Sequence, residues 1–134
     1  MTQKDKELLL KDLCSRLPYN TICQVEFKNC GKYETKNMTL SGIFKDEAYF
    51  TIENGSVYSN NYKPYLFPIS SMSEEEAVKY ITLTHYNTDD NGKLYRELTV
   101  EALDWLLLNH FDFRGLIPMG LSIDATGLNI YGYK

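Results

Sequence analysis

Apolar and polar positions alternate with two different periods along the chain, and the switch between them lays out the elements. From about Lys4 to Arg16, Leu9, Leu10, Leu13 and Leu17 recur at spacings of one, three and four among charged residues, the stripe of an amphipathic helix that Pro18 stops. From Ile22 to Lys28 the period drops to two: Cys23, Val25 and Phe27 face one way and Gln24, Glu26 and Lys28 the other, as in a half-buried strand. Thr39 to Phe44 and Ala48 to Glu53 read as further strands around the turn Lys45-Asp46-Glu47, and Asn54-Gly55 signals a tight turn before Val57-Tyr58. Three or four antiparallel strands in a meander follow from this.

The stretch Ser59 to Pro68 contains two prolines and a polar run, which predicts an extended loop packed over the sheet rather than a central strand. Ser73 followed by Glu76 is a capping box for a short helix running to about Leu83. Thr99 is the expected N-cap of another helix, with Val100, Leu103, Leu106 and Leu107 as its apolar stripe. Phe111 to Gly120, rich in aromatics and broken by Gly and Pro, reads as a packed turn leading to a short strand or extended tail through Ile130.

These elements predict an α+β fold: a small bent antiparallel sheet or partly open barrel with two to three packed helices. At 134 residues, with no repeat or linker, the chain is expected to form a single domain, 1–134, able to bury roughly two-thirds of its unfolded surface without staples. Acidic side chains outnumber basic ones 18 to 14, and the net charge of -4 gives no general attraction for nucleic acid or anionic lipid. No apolar run is long enough to span a bilayer and the N-terminal stretch does not resemble a secretory signal, so a membrane partner is not expected. Cys14, Cys23 and Cys30 lack zinc or redox spacing and are expected as reduced thiols in a cytoplasmic setting.

Chemistry-bearing residues are sparse. His110, Asp112 and Arg114 fall within five positions, and in an extended segment Asp112 and Arg114 project to one side. Arg114 could then hold a ligand carboxylate or phosphate while Asp112 fixes the guanidinium; the alternative is an intramolecular clamp at a helix exit. His85 with Asp89 and Asp90 could offer imidazole and carboxylate ligands to a metal but sits beside a Gly-containing turn with no second histidine nearby in sequence, and Asp89-Asp90-Asn91-Gly92 misses the glutamate a calcium loop needs, so it reads as a hairpin or helix-entry turn. No phosphate loop, dinucleotide fingerprint or nucleophile elbow occurs, and neither a metal nor a cofactor is expected. Tyrosine is the compositional outlier at 11 residues, and Tyr58, Tyr62, Lys63 and Tyr65 cluster in the predicted loop. Such rings could stack bases, dock a protein, or cover an open end of the sheet.

Two segments carry a resemblance. Lys63-Pro64-Tyr65-Leu66-Phe67-Pro68-Ile69-Ser70-Ser71-Met72-Ser73-Glu74-Glu75-Glu76, and Asp104-Trp105-Leu106 leading into Phe111-Asp112-Phe113-Arg114-Gly115-Leu116-Ile117, resemble a group of small uncharacterised proteins of phages and prophages of gut Bacteroides and their relatives. The resemblance implies context only: a phage or mobile-element accessory protein acting in the cytoplasm of a bacterial host. With no catalytic motif present, the expected function is a noncatalytic binding module engaging a host or phage protein. The alternative is binding of a nucleotide or single-stranded nucleic acid for sequestration or phage replication. A homo-oligomer that buries the aromatic surface is compatible with either.

Overall fold

The computed structural model describes every residue of the chain except Asn54. Helix α1 (Gln3–Arg16) opens on a capping box between Thr2 and Asp5 and passes through a single 3-10 turn containing Pro18. Strands β1 (Ile22–Asn29), β2 (Lys32–Phe44), β3 (Glu47–Ile52), β4 (Gly55–Ser59) and β5 (Asn61–Pro68) follow. Then come α2 (Glu74–Leu83), the hairpin strands β6 (His85–Thr88) and β7 (Leu94–Glu97), α3 (Val100–Leu108), and the short strands β8 (Phe111–Asp112) and β9 (Ile123–Asp124). The fold is α+β, as the sequence predicts.

The main sheet runs β4-β3-β2-β1-β5-β8, with β9 also pairing β5. Its first five strands are antiparallel, whereas β8 and β9 lie parallel to β5, so the sheet is mixed rather than wholly antiparallel. It curls without closing: the register of β2 shifts between Leu40 and Gly42, and Ser59 Oγ donates to the Glu26 carbonyl at 2.6 Å, drawing the end of β4 towards β1. A shifted register of this kind bends a strand and increases its twist. The expected Asn54-Gly55 turn falls partly on Asn54, outside the described residues.

Segment 59–68 departs from the sequence reading. It is not a loop: β5 is a central strand, paired along one edge with β1 and then β8, and along the other with β9. Pro64 is tolerated because of the direction its backbone faces. Its carbonyl accepts from Ser122 Oγ at 2.7 Å, on the β9 side, and in an extended residue the nitrogen faces the same way as the carbonyl. The missing N–H therefore costs the β1 ladder nothing, and Pro68 stands at the strand's end.

Because β5 is covered on both faces, Pro64 to Phe67 is continuously buried. Tyr62 and Leu66 enter one core with Leu9 and Leu13 of α1, Cys23, Val25 and Phe27 of β1, and Phe50. Tyr65 and Phe67 point the other way, into a second core with Leu106 of α3, Phe111 and Ala125. Cys23 is fully enclosed, and burial pushes its thiol pKa far above the usual range, so it is an inert core residue.

Candidate functional site

Three places gather the residues with chemical potential. The first is the junction of α1 with the chain around β8. Asp12 and Arg16, one helical turn apart on α1, are both wholly buried. Arg16 Nε donates to Asp12 Oδ2 at 2.7 Å, and its Nη2 donates to Asp12 Oδ1 at 3.2 Å and to the Phe111 carbonyl at 2.8 Å. Arg114 reaches the same carboxylate from across the fold, Nη1 to Asp12 Oδ1 at 2.8 Å, and the Phe113 ring packs 4.3 Å from its guanidinium.

The expected pairing of Asp112 with Arg114 does not form. Asp112 turns its oxygens to the amides of Leu116 at 2.9 Å and Ile117 at 2.8 Å, closing the turn at Gly115, whose φ of +74° lies where glycine is unstrained. Arg114 takes Asp12 instead, a partner 102 residues away that local spacing cannot reveal. Asp112 and Arg114 thus both fasten the chain after α3, which is the clamp alternative with a different carboxylate in it.

His110 adopts φ 62°, a left-handed conformation at the end of α3, where its N–H donates to the Leu107 carbonyl at 3.1 Å. Its ring stacks on Tyr131 at 3.7 Å between centroids and 7° between planes, and its Nδ1 is buried with no partner among the described residues. Burial, assisted by the Arg16 charge, lowers its pKa to about 4, so the folded protein holds a neutral imidazole at pH 7. The sign of the linkage follows. The unfolded chain takes up this proton below its ordinary value near 6.5 and the folded chain does not, so stability falls as pH drops from about 6.5 to about 4. His110→Asn keeps a residue suited to the left-handed backbone and cannot titrate. Urea unfolding between pH 7 and pH 4 should show the natural chain losing about 3 kcal/mol more than this variant.

The second place is the tyrosine segment, which the fold disperses. Tyr62 and Tyr65 are core residues on opposite faces of β5, and the Tyr65 hydroxyl donates to Asn37 Oδ1 at 2.8 Å. Lys63 remains exposed, and Tyr58 is exposed on β4 with its ring 6.1 Å from that of Tyr49. Tyr58 and the rim of Tyr62 do meet, in a cleft of about 290 Å³ shared with Lys6, Glu7, Leu10 and Glu47. Charges of both signs line it, so it is not an anion cradle.

The third place was not singled out from the sequence. None of the residues of α2 is buried, and every residue from 85 to 98 is exposed on both faces of the β6–β7 hairpin. Yet this arm carries Val78, Ile81, Tyr86, Leu94, Tyr95 and Leu98, and Val100 beside it is 72% exposed instead of joining the predicted apolar stripe. Arg96 joins the pieces: it donates to the Ile81 carbonyl at 3.3 Å, Thr84 Oγ1 at 2.8 Å and the Tyr86 hydroxyl at 2.6 Å, with its guanidinium 4.2 Å from the Tyr86 ring. Cross-strand pairing puts Tyr86 opposite Arg96 and Thr88 opposite Leu94, so Tyr86 and Leu94 share the hairpin face that meets the end of α2 beside Ile81. The apolar content of the arm was legible in the sequence, but its lack of cover was not.

Among the described residues no group of three or more His, Cys, Asp or Glu converges as a metal site, and no helix is long and apolar enough to cross a membrane. Comparison with protein-family models, with curated proteins and with solved structures found no match to this chain.

Proposed function

We propose that the protein is a noncatalytic accessory binding module of phage or mobile-element origin, and that it engages a host or phage protein through the surface formed by α2 and the Arg96 face of the hairpin. The observation that carries this reading is the exposure of Ile81, Tyr86 and Leu94 on the surface that Arg96 joins, with Val78 exposed one turn earlier on α2. Contiguous apolar patches rimmed by polar residues mark interaction surfaces, and tyrosine beside arginine is the composition of binding hot spots. Glu74, Glu75 and Lys79 supply such a rim.

The charges that could have served catalysis or anion binding are engaged within the fold, Asp12 with Arg16 and Arg114 and Asp112 with backbone amides. Nucleotide or single-stranded nucleic-acid binding is less well supported, because a stacking platform needs rings side by side and the fold sends Tyr62 and Tyr65 to opposite cores. The test is affinity capture from the bacterial host followed by native mass spectrometry, comparing the natural chain with Val78→Asp and Ile81→Asp. Both substitutions are at exposed positions and should leave stability within about 0.5 kcal/mol. The expected result is a protein held in fixed stoichiometry by the natural chain and lost from both variants. Retention of a nucleotide or oligonucleotide, or a protein held equally by all three chains, would overturn the reading.

A further inference from the structure

The outer edge of β7 carries an inference that goes beyond the partner-binding surface and does not depend on it. An exposed two-stranded hairpin is marginal alone and presents two rows of backbone groups to a further strand. The ladder fixes which groups these are. The Asp89 N–H donates to the Lys93 carbonyl at 3.0 Å, which makes 89 and 93 a hydrogen-bonded pair. Along the observed register the pairs Asn87–Tyr95 and His85–Glu97 are then of the same kind, while Thr88–Leu94 and Tyr86–Arg96 turn their backbone groups outwards.

The two edges differ. On β6, the outward Thr88 N–H is already taken by the side chain of its neighbour, Asn87 Oδ1, at 2.9 Å. On β7 the outward N–H and C=O groups belong to Leu94 and Arg96, and no side chain among the described residues caps those two amides. On β6 only Tyr86 keeps an outward amide without a side-chain partner among the described residues, against two on β7, so β7 is the more open edge.

The sequence of that edge is complementary to itself. In an antiparallel pairing of two β7 strands, outward groups must meet outward groups, which allows the two-fold axis to pass through Leu94, Tyr95 or Arg96. An axis through Arg96 sets two guanidinium side chains opposite each other, and one through Leu94 sets Arg96 opposite Gly92 with no charge pairing. An axis through Tyr95 pairs Leu94 with Arg96 of the other copy by their free backbone groups and stacks the two Tyr95 rings as direct neighbours. It also sets Lys93 of each copy opposite Glu97 of the other. Lys93, Tyr95 and Glu97 fall on one side of the strand by its period of two, the side away from the Arg96 face.

We propose that β7 is a dimerisation edge, at which two copies of this chain join antiparallel about Tyr95 so that two hairpins become one four-stranded sheet. The interface is isologous: the same patch serves both copies, as a closed two-fold dimer requires.

The experiment is analytical ultracentrifugation at low salt of the natural chain, Lys93→Glu, Glu97→Lys, an equimolar mixture of these two variants, and the double exchange. All substituted positions are exposed, and circular dichroism checks that each variant is folded. The natural chain should form a dimer, and each single variant, which sets like charges opposite each other twice, should dissociate at least about tenfold more readily. The mixture should recover dimer: the first variant is acidic at both positions and the second basic at both, so both contacts of the mixed pair join opposite charges. The double exchange should recover it too. A natural chain that stays monomeric up to millimolar concentration would overturn the proposal, as would single variants that dimerise like the natural chain or a mixture that shows no recovery. Val78→Asp and Ile81→Asp leave this edge intact and should dimerise normally, which separates failure of this interface from failure of the partner-binding surface.

Discussion

Replacing Asp12 with Ala should destabilise the fold by about 3 to 5 kcal/mol, because it strands a buried guanidinium and removes the partner of Arg114 in the same stroke. Domains of this size have total stabilities of about 5 to 15 kcal/mol, so the variant should sit near the unfolding threshold at 37 °C. The attraction within the pair is not the main source of the loss. The cost of leaving Arg16 charged and dry is, since one of its nitrogens, Nη1, already lacks a partner among the described residues. A paired replacement, Asp12→Leu with Arg16→Met, removes both charges from the interior and should recover a large part of the loss, though not the docking of Arg114. Urea denaturation of the three chains decides it. If Asp12→Ala and the paired replacement lose the same amount, the uncompensated charge is not the cause.

Phe67→Ala should cost a comparable amount, about 3 to 5 kcal/mol, through the cavity it opens. Phe67 is fully buried, with ring centroids at 6.3 Å from Phe111, 6.0 Å from Tyr131 and 5.5 Å from Tyr133, and the Lys134 amine lies 5.0 Å from its ring. Its ring is the part of β5 on which the aromatic side chains of the C-terminal segment pack, beside the hydrogen bond from the Tyr131 hydroxyl to the Tyr65 carbonyl at 2.8 Å. The sole tryptophan, Trp105, stacks on Phe111 in that core at 5.6 Å, so its fluorescence reports there, while far-UV circular dichroism is dominated by the larger sheet. Because β5 feeds both cores, the two signals should shift to lower denaturant together. A tryptophan transition that moves alone would mean that the two cores unfold separately.

The two periodicities make most of the fold legible in the sequence. The helix ending at Arg16, the inward face Cys23, Val25 and Phe27, and the capping residues Ser73 and Thr99 all stand where their spacing puts them, because each depends on neighbours within a turn or a strand. What failed were features set by distant segments. The strand containing Pro64 could be recognised only by knowing that Ser122 lies opposite its carbonyl, and the partner of Arg114 only by knowing that α1 crosses behind it. Val100 fits a helical stripe in periodicity but lies where nothing covers it, so the pattern overstated the core. The site residues follow the same division. Tyr62 and Tyr65 looked like a shared surface because neighbouring positions look adjacent on paper, whereas a strand sends odd and even positions to opposite sides.

The orientation of Pro64 has a consequence for how the chain finds this arrangement. A residue with no N–H is harmless in β5 only when that face of the backbone points at Ser122. Sliding β5 by a single position against β1 would turn the blank nitrogen into the ladder and exchange the two sets of side chains, sending Phe67 to the side of Leu13 and Leu66 to the side of Leu106. Both penalties fall on the same misalignment. Proline in this strand therefore acts as a keyway: it donates no hydrogen bond to the native sheet, but it makes the nearest wrong one incompatible with the backbone.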